Sequence, residues 1–240
     1  MASSASCQLL LEKSPSRKPR TKSISVAAAC GMPADPIVVP IDSLRPTQVA
    51  VGMRAVAAKR KRLGARKRRK MGRYLQQRPI PAVYGPNREL YIVDHHHLSL
   101  ALLQSRVETA FVKIIDDYSD MSPKQFWAAM ETQGLVYPFD ETGSRVALSR
   151  MPTGIRSLRA DAYRDLAWSV REEGGFKKTR APFSEFRWAE FFRTTIPEYI
   201  LTDNYKDAVA LGKLKLGQPQ SLHEGVQGIM DIFKPKKKQP

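Results

Sequence analysis

The chain has 240 residues, 40 Lys and Arg against 23 Asp and Glu, a formal net charge of +17 and a hydrophobic fraction of 42%; its isoelectric point is near 10.1 and its mean hydropathy is -0.39. That length holds one ordinary domain with appendages or two small ones, and with no run of about 18 apolar residues it predicts a soluble chain without a membrane span. The two cysteines, Cys7 and Cys30, lie near the N-terminus, which excludes a disulfide-stapled scaffold, a Cys-built zinc site and thiol chemistry in the body of the protein, while the basic excess points to anionic partners such as nucleic acid, nucleotides or acidic lipid.

Residues 1–35 read as a leader: Ser- and Ala-rich, with Glu12 the one acid before Asp35, against Lys13, Arg17, Lys18, Arg20 and Lys22. This is the composition of an organellar transit peptide or of a plain disordered tail. The location is cytoplasmic, or plastid if the leader is a transit peptide. Ile37 to Ile41 predicts a first strand, β-branched and bounded by prolines, and Asp42 to Gln48 a turn. A helical pattern runs from about Val49 to Gln77, with Gly64 in its middle, and Arg78-Pro79 ends it. Ile80–Tyr84 and Leu90–Val93 predict a hairpin turned at Gly85 to Arg88. A short apolar helix opens at His97 or Leu98, and Ala110–Ile115 predicts a fourth strand.

After Tyr118 the character changes. Ser122-Pro123 reads as an N-cap with proline at the first helical position. A helical second half follows, broken near Gly154, Gly174-Gly175 and Pro197. Its aromatics Phe183, Phe186, Trp188, Phe191 and Phe192 fall at helical spacings and belong to a core rather than to a ligand cage. The fold expected is α/β (α+β), a small mixed β-sheet domain over 36–118 with a helical part over 119–200. Residues 201–240 read as a basic tail ending in Lys234, Lys236, Lys237 and Lys238.

Three of the four histidines stand in one run, Asp94-His95-His96-His97. The run sits at a strand-to-helix turn, where free backbone N–H groups and the helix dipole favour an anion. Imidazoles there can donate to phosphate, shuttle a proton or bind a metal, and Asp94 can orient an imidazole, act as base or take a divalent cation. Adjacent histidines with no following Cys or fixed-spacing His argue against tetrahedral zinc. A second feature is Lys59-Arg60-Lys61-Arg62, then Arg66-Lys67-Arg68-Arg69-Lys70 and Arg73, with no acid among them. Like charges at i,i+4 repel unless anions neutralise them, so the run suits a phosphate backbone, an exposed solvated face or a localisation patch. Asp42, Arg45, Thr47 and Gln48 form a third group. Asp116-Asp117, Arg156, Arg159 and Lys177-Lys178 are weaker candidates.

Ile37–Gln48, Arg78–Tyr84, Tyr91–His97 and Phe111–Ile115, with Val51-Gly52-Met53-Arg54 and Met151–Arg156, together resemble the ParB/sulfiredoxin superfamily, in its ParB-like nuclease branch, over residues 37–195. In that superfamily the turn after the hairpin grips nucleotide phosphates. The resemblance implies that Asp94 matches the aspartate of an ADP-dependent serine kinase's Asp-Gly-His-His-Arg turn and that His95 matches its glycine. His96 falls where sulfiredoxins have their cysteine, and His97 falls at the phosphate-binding His. It also places Arg45, Thr47, Gln48 and Arg54 opposite the turn, lining the pocket. Without a cysteine at His96, sulfinic-acid reduction is excluded. Leu98 stands where relatives carry Arg, so one charged phosphate contact is missing; the basic run is a source for that charge.

Two expectations follow. In the first the chain is an enzyme of phosphate chemistry, a nuclease or nucleotide-dependent phosphotransferase. Asp94 is then base or metal ligand, His96 the proton shuttle, and His97 with backbone amides the phosphate cradle; Mg2+ carried with a nucleotide is the cofactor such chemistry would take. In the second it is a non-catalytic nucleotide- or DNA-binding module.

Overall fold

The computed structural model describes residues 33, 35–177 and 183–216. The proposed leader, with Cys7 and Cys30, lies almost entirely outside the described residues, as do Lys178, His223 and the terminal lysines. The first strand, β1 (Ile37–Pro40), leads through a 3-10 turn into β2 (Leu44–Pro46) and β3 (Ala50–Val51). Helices α1 (Met53–Gly64) and α2 (Arg68–Gln76) follow, then β4 (Ile80–Tyr84), β5 (Leu90–Ile92), α3 (His96–Gln104) and β6 (Thr109–Asp117). The second half holds α4 (Pro123–Thr132), β7 (Arg159–Ala160), α5 (Ala162–Glu172), α6 (Ser184–Thr195), α7 (Glu198–Asp203) and α8 (Tyr205–Leu216). No helix among the described residues is long and apolar enough to cross a membrane.

The sheet is mixed and five-stranded, in the order β1-β6-β4-β5-β2. β4 and β5 form the expected antiparallel hairpin, with Ala82 opposite Ile92. β4 lies parallel to β6, and β1 closes the far edge antiparallel to β6. Neighbouring residues along a strand face opposite sides, so the sheet buries two cores. Ala82 and Ile92 face α1 and α3, joining Val56, Leu63, Leu98 and Leu102. Val83 and Tyr91 face α4, joining Phe126 and Met130. A third core knits α5, α6 and α8 around Leu166, Val170, Phe192 and Val209. Phe186, Phe191 and Phe192 are buried, as their spacing predicted.

Local pattern and structure diverge at three places. Residues 44–46, read as turn, are an edge strand parallel to β5; an edge accommodates Pro46, which has no N–H to offer a neighbour. Residues 50–51, read as the start of a helix, pair instead with β7, Ala50 opposite Arg159, a partner that no local pattern reveals. The single helix expected to Gln77 is two, with Ala65 closing α1 and Lys67 extended before α2; glycine at the break and unrelieved like charges both weaken a continuous helix there. Ser122 caps α4 in a full capping box with Gln125. The stretch read as a basic tail begins within α7, where Leu201 is buried, and continues into α8, whose Ala208 and Val209 are buried.

Candidate phosphate site

β5 ends at Ile92, and the chain turns into α3 through Asp94 and His95. The turn is tight because His95 adopts the left-handed conformation, φ 66 and ψ 21, which glycine enters without strain and which is uncommon for other residues. The His95 N–H donates to Asp94 Oδ1 at 2.6 Å, and the His95 carbonyl accepts the first intrahelical bond, from Ser99 N–H at 2.8 Å. No side chain caps α3. The N–H groups of His96, His97 and Leu98 therefore precede the first helical bond and have no acceptor within the helix, and the dipole places partial positive charge on them.

The three histidines have separate surroundings. His96 is 1% exposed, and its Nε2 accepts from the Thr47 N–H at 3.0 Å. A neutral imidazole accepting at one nitrogen carries its proton on the other, and Nδ1 of His96 is buried with no hydrogen-bond partner. Burial pushes the His96 pKa down to about 3; Asp94 opposes that shift, while Arg164 and His95 add to it. Half-buried His97 accepts at Nε2 from the Gly52 N–H at 3.1 Å. Its pKa is held well below the ordinary value, first by burial and then by Arg164, Lys59, His96 and Arg171. Both imidazoles are thus neutral acceptors that tie the β2–α1 connection to the start of α3. Asp94 is the one exposed residue of the run.

Of the residues expected to face the turn, the structure brings some there and takes others away. Thr47 is buried, and its hydroxyl donates to the Ile92 carbonyl at 2.9 Å. Gln48 is 6% exposed, and its Oε1 has no partner. Arg45 is engaged in an ion pair with Glu89. Arg54 lays its guanidinium 3.5 Å from the centre of the Tyr205 ring. Asp42 opens onto a separate cleft with Arg106, Glu108 and Arg156. Asp116 and Asp117 hold their own loop, accepting from the Tyr118 hydroxyl at 2.6 Å and the Ser119 N–H at 2.9 Å. Arg159 pairs with Glu141 at 3.3 Å, and Lys177 is exposed. Among the described residues, no three His, Cys, Asp or Glu side chains converge in a metal-holding group.

The basic run lines the outside of α1 and α2. Arg60, Lys61, Arg62, Arg66, Lys67, Arg69, Lys70 and Arg73 are exposed, and Arg68 opens α2. Arg62 reaches Glu172 at 3.6 Å. Arg66 and Arg78 stack on Tyr74, at 4.0 and 4.4 Å, in a cleft shared with Arg69, Lys70, Arg73 and Gln77 and free of acids. Lys59, half-buried on α1, is close enough to oppose a charge on His97.

Sequence reasoning missed two residues of α5. Asp165 reaches across to the start of α1, where its Oδ1 accepts from the Arg54 N–H at 2.6 Å, with Met53 and Ala55 N–H groups adding to the same carboxylate. Burial pushes its pKa up to about 6, against those N–H groups. Arg164, beside it, is 5% exposed, with its guanidinium 3.4 Å from the centre of the Phe186 ring. Between Tyr163 and Leu166 both read as surface charges of an amphipathic helix, and only the tertiary packing turns them inward.

The family described as "Putative ParB-like nuclease" matches residues 37–194. The crystal structure of protein Atu1540 from Agrobacterium tumefaciens is similar to this chain, with 36% identity and a TM-score of 0.74, over 80% of this chain and 96% of that one. Among curated proteins there is no significant match.

Proposed function

Because the chain belongs to the ParB-like nuclease family, we propose that it binds nucleotide or nucleic acid through phosphate, seated at the start of α3 and approached along the basic face of α1 and α2. The observation that carries this reading is the α3 start: open amides, no side-chain cap and a left-handed residue before it, the arrangement that suits an anion. The acid-free cleft around Tyr74 supports it with cations for a phosphate backbone and an aromatic face.

On this reading His96 and His97 are struts. Each spends its one acceptor nitrogen on a backbone N–H, which leaves His96 without the lone pair a proton shuttle uses. Phosphodiester hydrolysis or phosphoryl transfer is the second reading, and the family description together with exposed Asp94 favours it. With a single carboxylate at the turn, Mg2+ would be held jointly by Asp94 and the bound phosphates, as this ion commonly is, and would neutralise phosphate charge there.

Calorimetry and thermal unfolding with ATP, ADP, CTP and a short duplex, with and without Mg2+, test both readings. Binding by wild type and Asp94→Ala alike, with no turnover by either, establishes the binding module. Turnover by wild type that Asp94→Ala abolishes while binding persists establishes the enzyme. A wild type indifferent to every nucleotide and to DNA overturns both.

A further inference from the structure

Among the described residues no carboxylate pairs directly with the buried cation Arg164, while Asp161 and Asp165 favour its charge from a distance. Its guanidinium makes no hydrogen bond and no ion pair among the described residues; its contact is the face of Phe186, at 3.4 Å. The nearby carboxylates are engaged elsewhere. Asp161 accepts from the Tyr163 and Arg164 N–H groups and pairs with Arg193 at 3.0 Å, and Asp165 takes the start of α1. Burial lowers the Arg164 pKa only to about 10, so the charge persists at neutral pH. An arginine seldom lies this deep unless paired. Arg193 shows the usual solution, binding Asp161, Glu190 and the Glu141 carbonyl at once.

The Arg164 charge acts on both His96 and His97, and contacts on either side tie its helix to the α3 start. A Cβ on Gly52 would sit 3.2 Å from the Arg164 carbonyl carbon, so the first turn of α5 presses on Gly52, which bonds His97. On the other flank, Phe186 packs on Tyr137 with ring centres 3.9 Å apart. Tyr137 N–H donates to the Thr47 carbonyl at 2.9 Å, and Thr47 N–H donates to His96. His96, Thr47, Tyr137, Phe186, Arg164, Gly52 and His97 thus close a ring of contacts. The unused polar groups on that ring are donors: the α3 amides, the His96 Nδ1–H and the Arg164 guanidinium. Gln48, in the same segment, can join them by turning its amide about. A set of donors around one buried cation calls for an oxyanion.

We propose that Arg164 is the cation of a closed oxyanion seat at the start of α3, and that the seat takes a terminal phosphate, from a nucleotide or a 5′-phosphorylated strand end, rather than a phosphodiester in mid-strand. The proposal rests on the phosphate reading above. A side chain 5% exposed can meet a group that enters tip first; a continuous strand, anchored on both sides, cannot follow it inward.

The test is thermal unfolding and calorimetry of wild type, Arg164→Met and Arg164→Lys with inorganic phosphate, ADP, and a single-stranded oligonucleotide with or without a 5′-phosphate. Wild type should be stabilised by phosphate and should bind ADP or the 5′-phosphorylated strand at least tenfold more tightly than the 5′-hydroxyl strand. Arg164→Met should erase both effects while its ligand-free Tm holds or rises, because an unpaired buried charge has gone. Preference for ADP identifies a nucleotide as the source, and preference for the phosphorylated strand identifies an end; either supports the seat. If Arg164→Met does not fold, Arg164→Lys decides: a several-fold loss of phosphate affinity at wild-type Tm supports the role, and unchanged affinity overturns it. A wild-type phosphate response surviving in Arg164→Met overturns the role of Arg164 alone. A wild type silent to phosphate and ADP overturns the phosphate reading with it.

Discussion

Helices α1 and α3 begin side by side, joined by the bond from Gly52 to His97, yet their ends are finished in different ways. At α1 the dipole meets a carboxylate of the protein itself: Asp165 accepts from the first turn, and that end is satisfied from within. At α3 no side chain takes the place of an anion, and the nearest buried charge, Arg164, is positive. Two starts with the same backbone chemistry therefore differ in what they can do. The first fastens α5 to the sheet domain; on the proposed reading the second keeps its donors for a ligand, in keeping with the preference of helix N-termini for anions.

Acid should separate the two ends by sign, and the larger effect belongs to α3. His96 has a folded pKa near 3 against an ordinary 6.5. Its contribution to stability is therefore full above 6.5 and is lost as pH falls toward 3, by on the order of 5 kcal/mol. Urea unfolding at stepped pH should show an acid limb in wild type that is much shallower in His96→Gln; identical limbs would break the assignment of His96 as a buried neutral strut. Next in size is Gly52→Val. A Cβ at that position meets Asp165 Oδ1 at 2.7 Å and α5 backbone at 3.2 Å, so the substitution should cost about 3 kcal/mol and dislodge the α1 cap. Asp165→Asn is smaller and opposite in pH dependence. The Asp165 pKa is raised from 3.8 to about 6, so its contribution is full below 3.8 and is lost as pH rises through 6. Measured against the Asn variant, wild type should lose about 2 kcal/mol across that window once solvent screening of this incompletely buried carboxylate is allowed for, and a wild-type stability relative to Asn that holds or rises with pH would contradict the buried cap.

How far the sequence discloses this arrangement depends on whether a feature is local. The β4–β5 hairpin, the Ser122 N-cap of α4 and the helix α3, which opens at His96 rather than at His97 or Leu98, are legible from neighbours along the chain. The direction of each imidazole is not, because the acceptors of His96 and His97 serve Thr47 and Gly52, 49 and 45 residues earlier. The same holds for β3, whose partner lies in the second half. It holds most for α5, where Arg164 and Asp165 look like ordinary exposed charges until α1 and Phe186 are packed against them. A run of three histidines draws the eye to the turn, while the charges that finish both helix starts come from a helix with no motif at all.

The basic face of α1 and α2 gives the smallest effect per residue and the clearest view of whether the α3 start works alone. Arg66, Arg69 and Arg73 share the acid-free cleft around Tyr74, and each phosphate neutralised there should add about 0.9 to the slope of log K against log salt for duplex DNA. Replacing the three by Ala should therefore lower that slope by about 2.7, with a loss of affinity that is largest at low salt and narrows as salt rises. Stabilisation by inorganic phosphate should stay at its wild-type level, because the open amides and Arg164 are untouched. Equal loss of both would mean that the cleft and the α3 start form one continuous polyanion track. Retention of the phosphate response would mean that the basic face gathers nucleic acid while the helix start, open where its neighbour is capped, selects the group that enters.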